Sequence, residues 1–142
     1  MTGEHFVVMG KPAIAMAVGL YSKVKVSKRN DAKIQISSNR LNASGSFQSG
    51  HYVPETGGPE AGKALEPFQM IALHLSDKVG QKNQGLDIEI DSAIPVAAGL
   101  GSSASVSVSL IAALCELLEI NRSREEIRVI NNLFLLQVLK NR

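Results

Sequence analysis

The chain has 142 residues, 44% hydrophobic and 4% aromatic, with 15 basic and 13 acidic side chains and a net charge of +2. That length amounts to one domain, able to bury roughly 70% of its unfolded surface, and so small and scattered a charge excludes a binder of nucleic acid by bulk attraction. A lone Cys115 inside an apolar run excludes a disulfide framework and argues for a reducing compartment. No charged-then-apolar leader opens the chain and no apolar stretch reaches 18 residues, so the expectation is a cytoplasmic protein with no membrane partner.

In chain order, residues 13–28 alternate from Val18 onward, as a long strand or a bent pair of strands would. Lys23, Lys25, Lys28, Arg29 and Lys33 read there as the solvated face of a sheet in preference to a binding patch. Residues 33–37 continue that sheet. Residues 41–51 mix Asn42, Ser44, Gly45, Ser46 and Gly50 with apolar side chains and are open to two readings, a short strand with turns or a loop. Two prolines and three glycines within residues 54–62 predict a connection. Phe68, Ile71, Ala72, Leu75 and Val79 recur at helical spacing and predict a helix over residues 67–79, with Pro67 in its first turn.

From Gly85 to Asp91 the alternation is strict, with Leu86, Ile88 and Ile90 on one face and three acids on the other, the pattern of a strand with one wet side. Residues 103–118 alternate serine with apolar residues, as a strand would, but sixteen residues rich in Ala and Leu exceed a usual strand. They predict a helix whose small face packs closely on a sheet, with Cys115 an inert buried thiol. Ser123 and Glu126 have capping-box spacing and open a last helix with Ile127, Ile130 and Leu133 or Phe134 on one face. His51 and His74 lack the company of acids or cysteines that a metal site needs.

Between the strict strand and the serine-rich helix lies the segment that carries chemistry: Pro95, Val96, Ala97, Ala98, Gly99, Leu100, Gly101, Ser102, Ser103, Ala104 and Ser105. Glycines let backbone turn sharply and approach an anion, and a helix beginning at the serines aims unpaired N–H groups and its positive dipole end at that anion. A Walker loop is excluded, since no lysine follows Gly101. The dinucleotide fingerprint G-x-G-x-x-A is matched by Gly99, Gly101 and Ala104, with Glu119 twenty residues beyond Gly99, but Pro95 separates the strand from the turn. The bland alternative is a tight turn before a helix, with Ser102 or Ser103 an ordinary N-cap.

Pro95 to Ser105 resembles the P-x-x-x-G-L-G-S-S-A-S signature of the GHMP kinases, and Gly3-Glu4-His5-Phe6-Val7-Val8-Met9-Gly10-Lys11-Pro12-Ala13-Ile14-Ala15 is similar to the G-E-H segment near the start of the mevalonate kinases. The two stretches occur in the family's order and cover about a fifth of the chain. The resemblance implies an α+β fold like the N-terminal domain of GHMP kinases, one mixed sheet with helices on one side, and a left-handed βαβ crossover. It implies ATP and Mg2+ as cofactors and mevalonate or a related alcohol as the small-molecule acceptor, and leaves a homodimer open.

Residue by residue, the resemblance puts Pro95 to Ser105 around the nucleotide phosphates, Ser103 facing magnesium, Glu4 beside nucleotide and metal, and His5 on the acceptor side. The family's phosphate-reaching lysine before G-E-H, its metal acid, its catalytic aspartate and its second domain have no counterpart in residues 1–142, and residues 131–142 differ from the alanine- and glutamate-bearing helix expected there. The expectation is therefore a single N-terminal-type domain over residues 1–142 without the family's extreme N-terminal strand or C-terminal domain. It is expected to be truncated, to carry no identifiable catalytic residue, and to be inactive or weakly active alone. A noncatalytic nucleotide-binding or folding module is the alternative, and a dinucleotide-binding domain a more distant one.

Overall fold

A computed structural model describes residues 19–48, 50–95 and 101–140, with side chains as far as Asn132. Five strands, β1 (Ser22–Arg29), β2 (Ile34–Ser38), β3 (Ala43–Gln48), β4 (His51–Thr56) and β5 (Gly85–Ser92), form one sheet in the order β1-β5-β2-β3-β4. The sheet is mixed: β5 runs parallel to β2 and antiparallel to β1, while β2, β3 and β4 form an antiparallel meander. Three helices, α1 (Ala61–Lys78), α2 (Ser102–Leu117) and α3 (Arg124–Lys140), complete the α+β fold. No described helix is long and apolar enough to cross a membrane.

The period-2 pattern decides which face of the sheet is covered. Ile34 and Ile36 of β2, Phe47 of β3 and Leu86, Ile88 and Ile90 of β5 are buried and share one face. Val24 and Val26 of β1 pair with Ile90 and Ile88 and extend that face, half-buried. Leu65, Phe68, Ile71, Ala72 and Leu75 of α1, and Val106, Leu110, Ile111 and Leu114 of α2, close over it. On the bare face Lys25 lies opposite Glu89 with a long ion pair of 3.4 Å and Lys23 lies opposite Asp91, whereas Lys28 pairs with Leu86 on the covered face at its exposed margin; all three lysines are solvated. An exposed pair of this kind contributes little to stability.

Three boundaries differ from the sequence reading. Residues 13–18 of the expected first strand lie outside the described residues, and β1 begins at Ser22. The ambiguous stretch is strand β3, and the first third of the expected connection belongs to strand β4, with Pro54 inside it. Proline is tolerated there because β4 is an edge strand, whose outward N–H groups have no ladder partner to lose. Helix α1 starts six residues earlier than Pro67, which therefore sits in its interior, where it has no N–H to offer the Lys63 carbonyl one turn back. The apolar spacing that begins at Phe68 carries back to Leu65, and the ring of Tyr52 lies against Gly45 and Gly62, fixing the first turn of α1 on β3 and β4.

The capping box forms: the Ser123 amide donates to Glu126 Oε2 at 2.8 Å and the Glu126 amide donates to Ser123 Oγ at 3.3 Å. Those bonds, the backbone one foremost, and the Arg122 guanidinium at 2.7 Å hold the Glu126 carboxyl below its ordinary range. Cys115 is buried as expected, which pushes its thiol up and keeps it protonated.

The β1–β2 turn is held by Asp31. Arg29 donates to both its carboxylate oxygens, each at 2.9 Å, and the Lys33 amide donates to Oδ1 at 3.2 Å. The Arg29 bonds, with that of Lys33, lower the Asp31 carboxyl from 3.8 to about 2. A depressed carboxylate stabilises the fold above its unfolded value, near 4, and that contribution disappears as pH falls through about 2. NMR titration of the Asp31 carboxyl should give a midpoint near 2, and Arg29→Met should return it toward the ordinary value; an unchanged midpoint in the variant would sink this assignment.

Candidate functional site

The candidate site is the passage from β5 into α2. β5 leaves the sheet through Ser92, whose Oγ lies 2.9 Å from Ser22 Oγ, and the Ala93 amide donates to the Tyr21 carbonyl at 3.0 Å. On the other flank Asn39, just past β2, spans the two parallel strands. Its amide N–H donates to the Ile90 carbonyl at 3.2 Å, its Oδ1 accepts the Ser92 N–H at 3.2 Å, and its Nδ2 donates to Asp91. Ile94 is buried, so the chain is anchored on both sides up to Pro95. Sequence reasoning missed Asn39 and Ser92. Their roles depend on β2 and β5 being neighbours, and a polar residue at a strand end carries no signal of that.

At the far side of the segment Gly101 is the N-cap of α2, with φ 74° and ψ 28°, and among the described residues no side chain caps the helix. The left-handed conformation explains the glycine, since a Cβ there costs roughly 1–2 kcal/mol. The ordinary-cap reading of Ser102 and Ser103 is thus corrected: both residues lie within the first turn, one and two residues too late to cap it. Ser102 Oγ reaches back toward the Ile94 carbonyl at 3.5 Å, while Ser103 is exposed. No acidic residue occupies the first turn, so nothing there opposes an anion.

Farther along α2 the serines serve packing. Ser107 is buried, and Ser109 Oγ lies 2.9 Å from the Ser105 carbonyl and 3.3 Å from that of Ser22 on β1. The second of those contacts brings helix and strand backbones close together. This is the small-faced helix on a sheet that the sequence predicted, and it directs the N-terminus of α2 outward beside β1.

Of the expected site residues, Pro95, Gly101, Ser102, Ser103, Ala104 and Ser105 belong to this passage. Val96, Ala97, Ala98, Gly99 and Leu100, and Glu4 and His5, lie outside the described residues. Among the described residues no group of three His, Cys, Asp or Glu side chains is arranged to hold a metal ion. The dinucleotide reading fits poorly: α2 leads into α3 instead of a second strand, and Glu119 sits in the turn that ends α2 with φ 56°.

Residues 66–135 match the family described as GHMP kinases N terminal domain. The mevalonate kinase of Pyrococcus horikoshii is 40% identical over 130 residues, covering 88% of this chain and 38% of its own length. That of Saccharolobus solfataricus is 38% identical over 131 residues, covering 92% of this chain and 39% of its own. Among solved structures, the crystal structure of a mevalonate kinase aligns over 99% of this chain and 44% of that one with a TM-score of 0.75 at 25% identity. The Methanococcus jannaschii mevalonate kinase aligns over 93% and 41% with a TM-score of 0.69 at 27% identity.

A mixed five-stranded sheet covered on one face, opening through a glycine turn into an uncapped helix, is the N-terminal domain of a GHMP kinase, and this chain belongs to that family. Within it the chain resembles the mevalonate kinases. The chain spans about 38% of the length of the curated relatives it matches.

Proposed function

We propose that this chain is the nucleotide-gripping portion of an ATP-dependent small-molecule kinase of mevalonate-kinase type, with the primary hydroxyl of mevalonate or a related alcohol as acceptor. The observation that carries the reading is the uncapped mouth of α2 behind left-handed Gly101. Unpartnered N–H groups at a dipole's positive end suit a polyphosphate and would otherwise be satisfied by a side chain. The residues present therefore fit the triphosphate that the family implies.

In this reading Gly99, Leu100, Gly101, Ser102 and Ser103 bind the phosphates through backbone N–H groups. The exposed Ser103 hydroxyl would face Mg2+, Glu4 would lie beside the nucleotide and His5 beside the acceptor. Mg-ATP supplies the phosphoryl group and charge neutralisation when bound. The protein's share is orientation and preorganised donors, which account for most of the acceleration in such transfers. Asn39 and the Ser22–Ser92 contact act as positioning groups by fixing where β5 releases the chain.

Calorimetric titration with the ATP analogue AMP-PNP and Mg2+ on this chain and on Gly101→Val tests the reading. Among the described residues nothing lies within 4 Å of a Cβ at Gly101, so the variant has room to fold but loses the left-handed turn. Affinity should drop about tenfold, the equivalent of ~1.4 kcal/mol. Equal affinities would remove the phosphate-loop assignment. Preference for NAD over the ATP analogue would favour the dinucleotide alternative.

A further inference from the structure

The opposite end of the sheet carries a second concavity. β5 has eight residues, so at roughly 3.3 Å each its start is about 26 Å from the point where it turns toward Gly101. There the start of β2, the end of β3, the middle of α1 and the loop leading into β5 line a cavity of about 280 Å³. This is near the lower end of the roughly 300–1,000 Å³ typical of ligand pockets. Ile34, Phe47 and Leu73 supply its apolar lining, and Gln69, Lys82 and Asn83 are among its polar groups.

Two features distinguish this cavity from a packing gap. Gln69 is 9% exposed, yet its amide forms no hydrogen bond among the described residues and is not sealed from solvent, so its donors stand open to a group that enters the cavity. Lys82 is the charged residue of the lining, no acid joins it there, and it forms no ion pair among the described residues. By contrast Gln84 is engaged in holding the wall, its Nε2 donating to the Arg29 carbonyl at 2.8 Å and the Gly85 carbonyl at 3.0 Å.

We propose that this cavity is a binding site for a small amphipathic carboxylate. Its apolar body lies on Ile34, Phe47 and Leu73, and its head accepts hydrogen bonds from Lys82 and Gln69. One lysine matches one negative charge, whereas a phosphate dianion calls for further cations that the lining does not contain. An uncharged apolar ligand would leave both polar groups unanswered.

The test is a 15N–1H NMR titration of the full chain with 3-phenylpropionate, with 3-phenylpropanol as the uncharged counterpart. Saturable shifts are expected at the Gln69 side-chain amide and at the backbone amides of residues 82–84, with the alcohol binding at least fivefold more weakly. Lys82→Met changes an exposed residue and should retain the fold while weakening the acid at least fivefold. The proposal is overturned if no shift saturates, if the shifts fall elsewhere on the surface, or if the variant or the alcohol binds as tightly as the wild-type pairing.

Discussion

Gly85→Ala should lower stability by about 3 kcal/mol, near the upper end for overpacking substitutions. A methyl group at Gly85 runs into the backbone carbonyl of Asp31, reaching within 2.8 Å of its carbon and 2.9 Å of its side-chain Oδ1. Neither side can yield cheaply. Asp31 is fixed by the Arg29 fork and the Lys33 amide, and Gly85 is paired with Arg29 in the β1–β5 ladder while the next amide, Leu86, donates to the Lys33 carbonyl at 3.0 Å. Gly19→Ala is the control, because among the described residues nothing lies within 4 Å of a Cβ there, and it should change stability by less than about 0.5 kcal/mol. Urea unfolding of both variants decides the matter; a Gly85→Ala loss as small as the control's would mean that the turn moves freely.

Leu110→Ala is the second large effect. Leu110 is fully buried in α2, two turns beyond the serines that open the helix. Truncating a leucine in such a site removes its transfer energy and leaves a cavity, together about 3–4 kcal/mol. Leu110→Met nearly conserves volume and should cost below about 1.5 kcal/mol. The alanine variant should unfold at lower urea with an unchanged slope. A loss under about 1 kcal/mol would show that α2 does not rest on the sheet through this residue, and the orientation of its uncapped end would then need another explanation.

Strands with one wet side were legible because burial writes a period of two into the sequence, as Leu86, Ile88 and Ile90 against Asp87, Glu89 and Asp91 illustrate. The capping box was legible for a similar reason, both partners lying within one turn. Strand β3 was ambiguous because its inward positions are Ala43, Gly45 and Phe47, too small a set to show alternation. Strand β4 and the first turns of α1 were misread because prolines and glycines act through context. Pro54 is harmless at a sheet edge, and Gly62 faces the Tyr52 ring.

Within the candidate site, Gly101 and the two serines were legible from spacing, and the left-handed backbone at Gly101 is what that glycine was expected to permit. Asn39 and Ser92 were not, because their bonds join residues 53 positions apart. The amide- and lysine-lined cavity was equally hidden. Its walls come from three separate elements and the loops beside them, and Gln69 occupies a helix position where a glutamine ordinarily faces water.

The pairing of β1 with β5 has a consequence for the birth of the molecule. Ser22 meets Ser92 across a separation of 70 residues, so a ribosome adding about 5–20 residues per second exposes β1 for roughly 4–14 s before its partner has been made. During that wait the strand offers open edges to any neighbouring nascent chain. Lys23, Lys25 and Lys28, all exposed in the finished sheet, carry the charge that discourages such mispairing until β5 arrives.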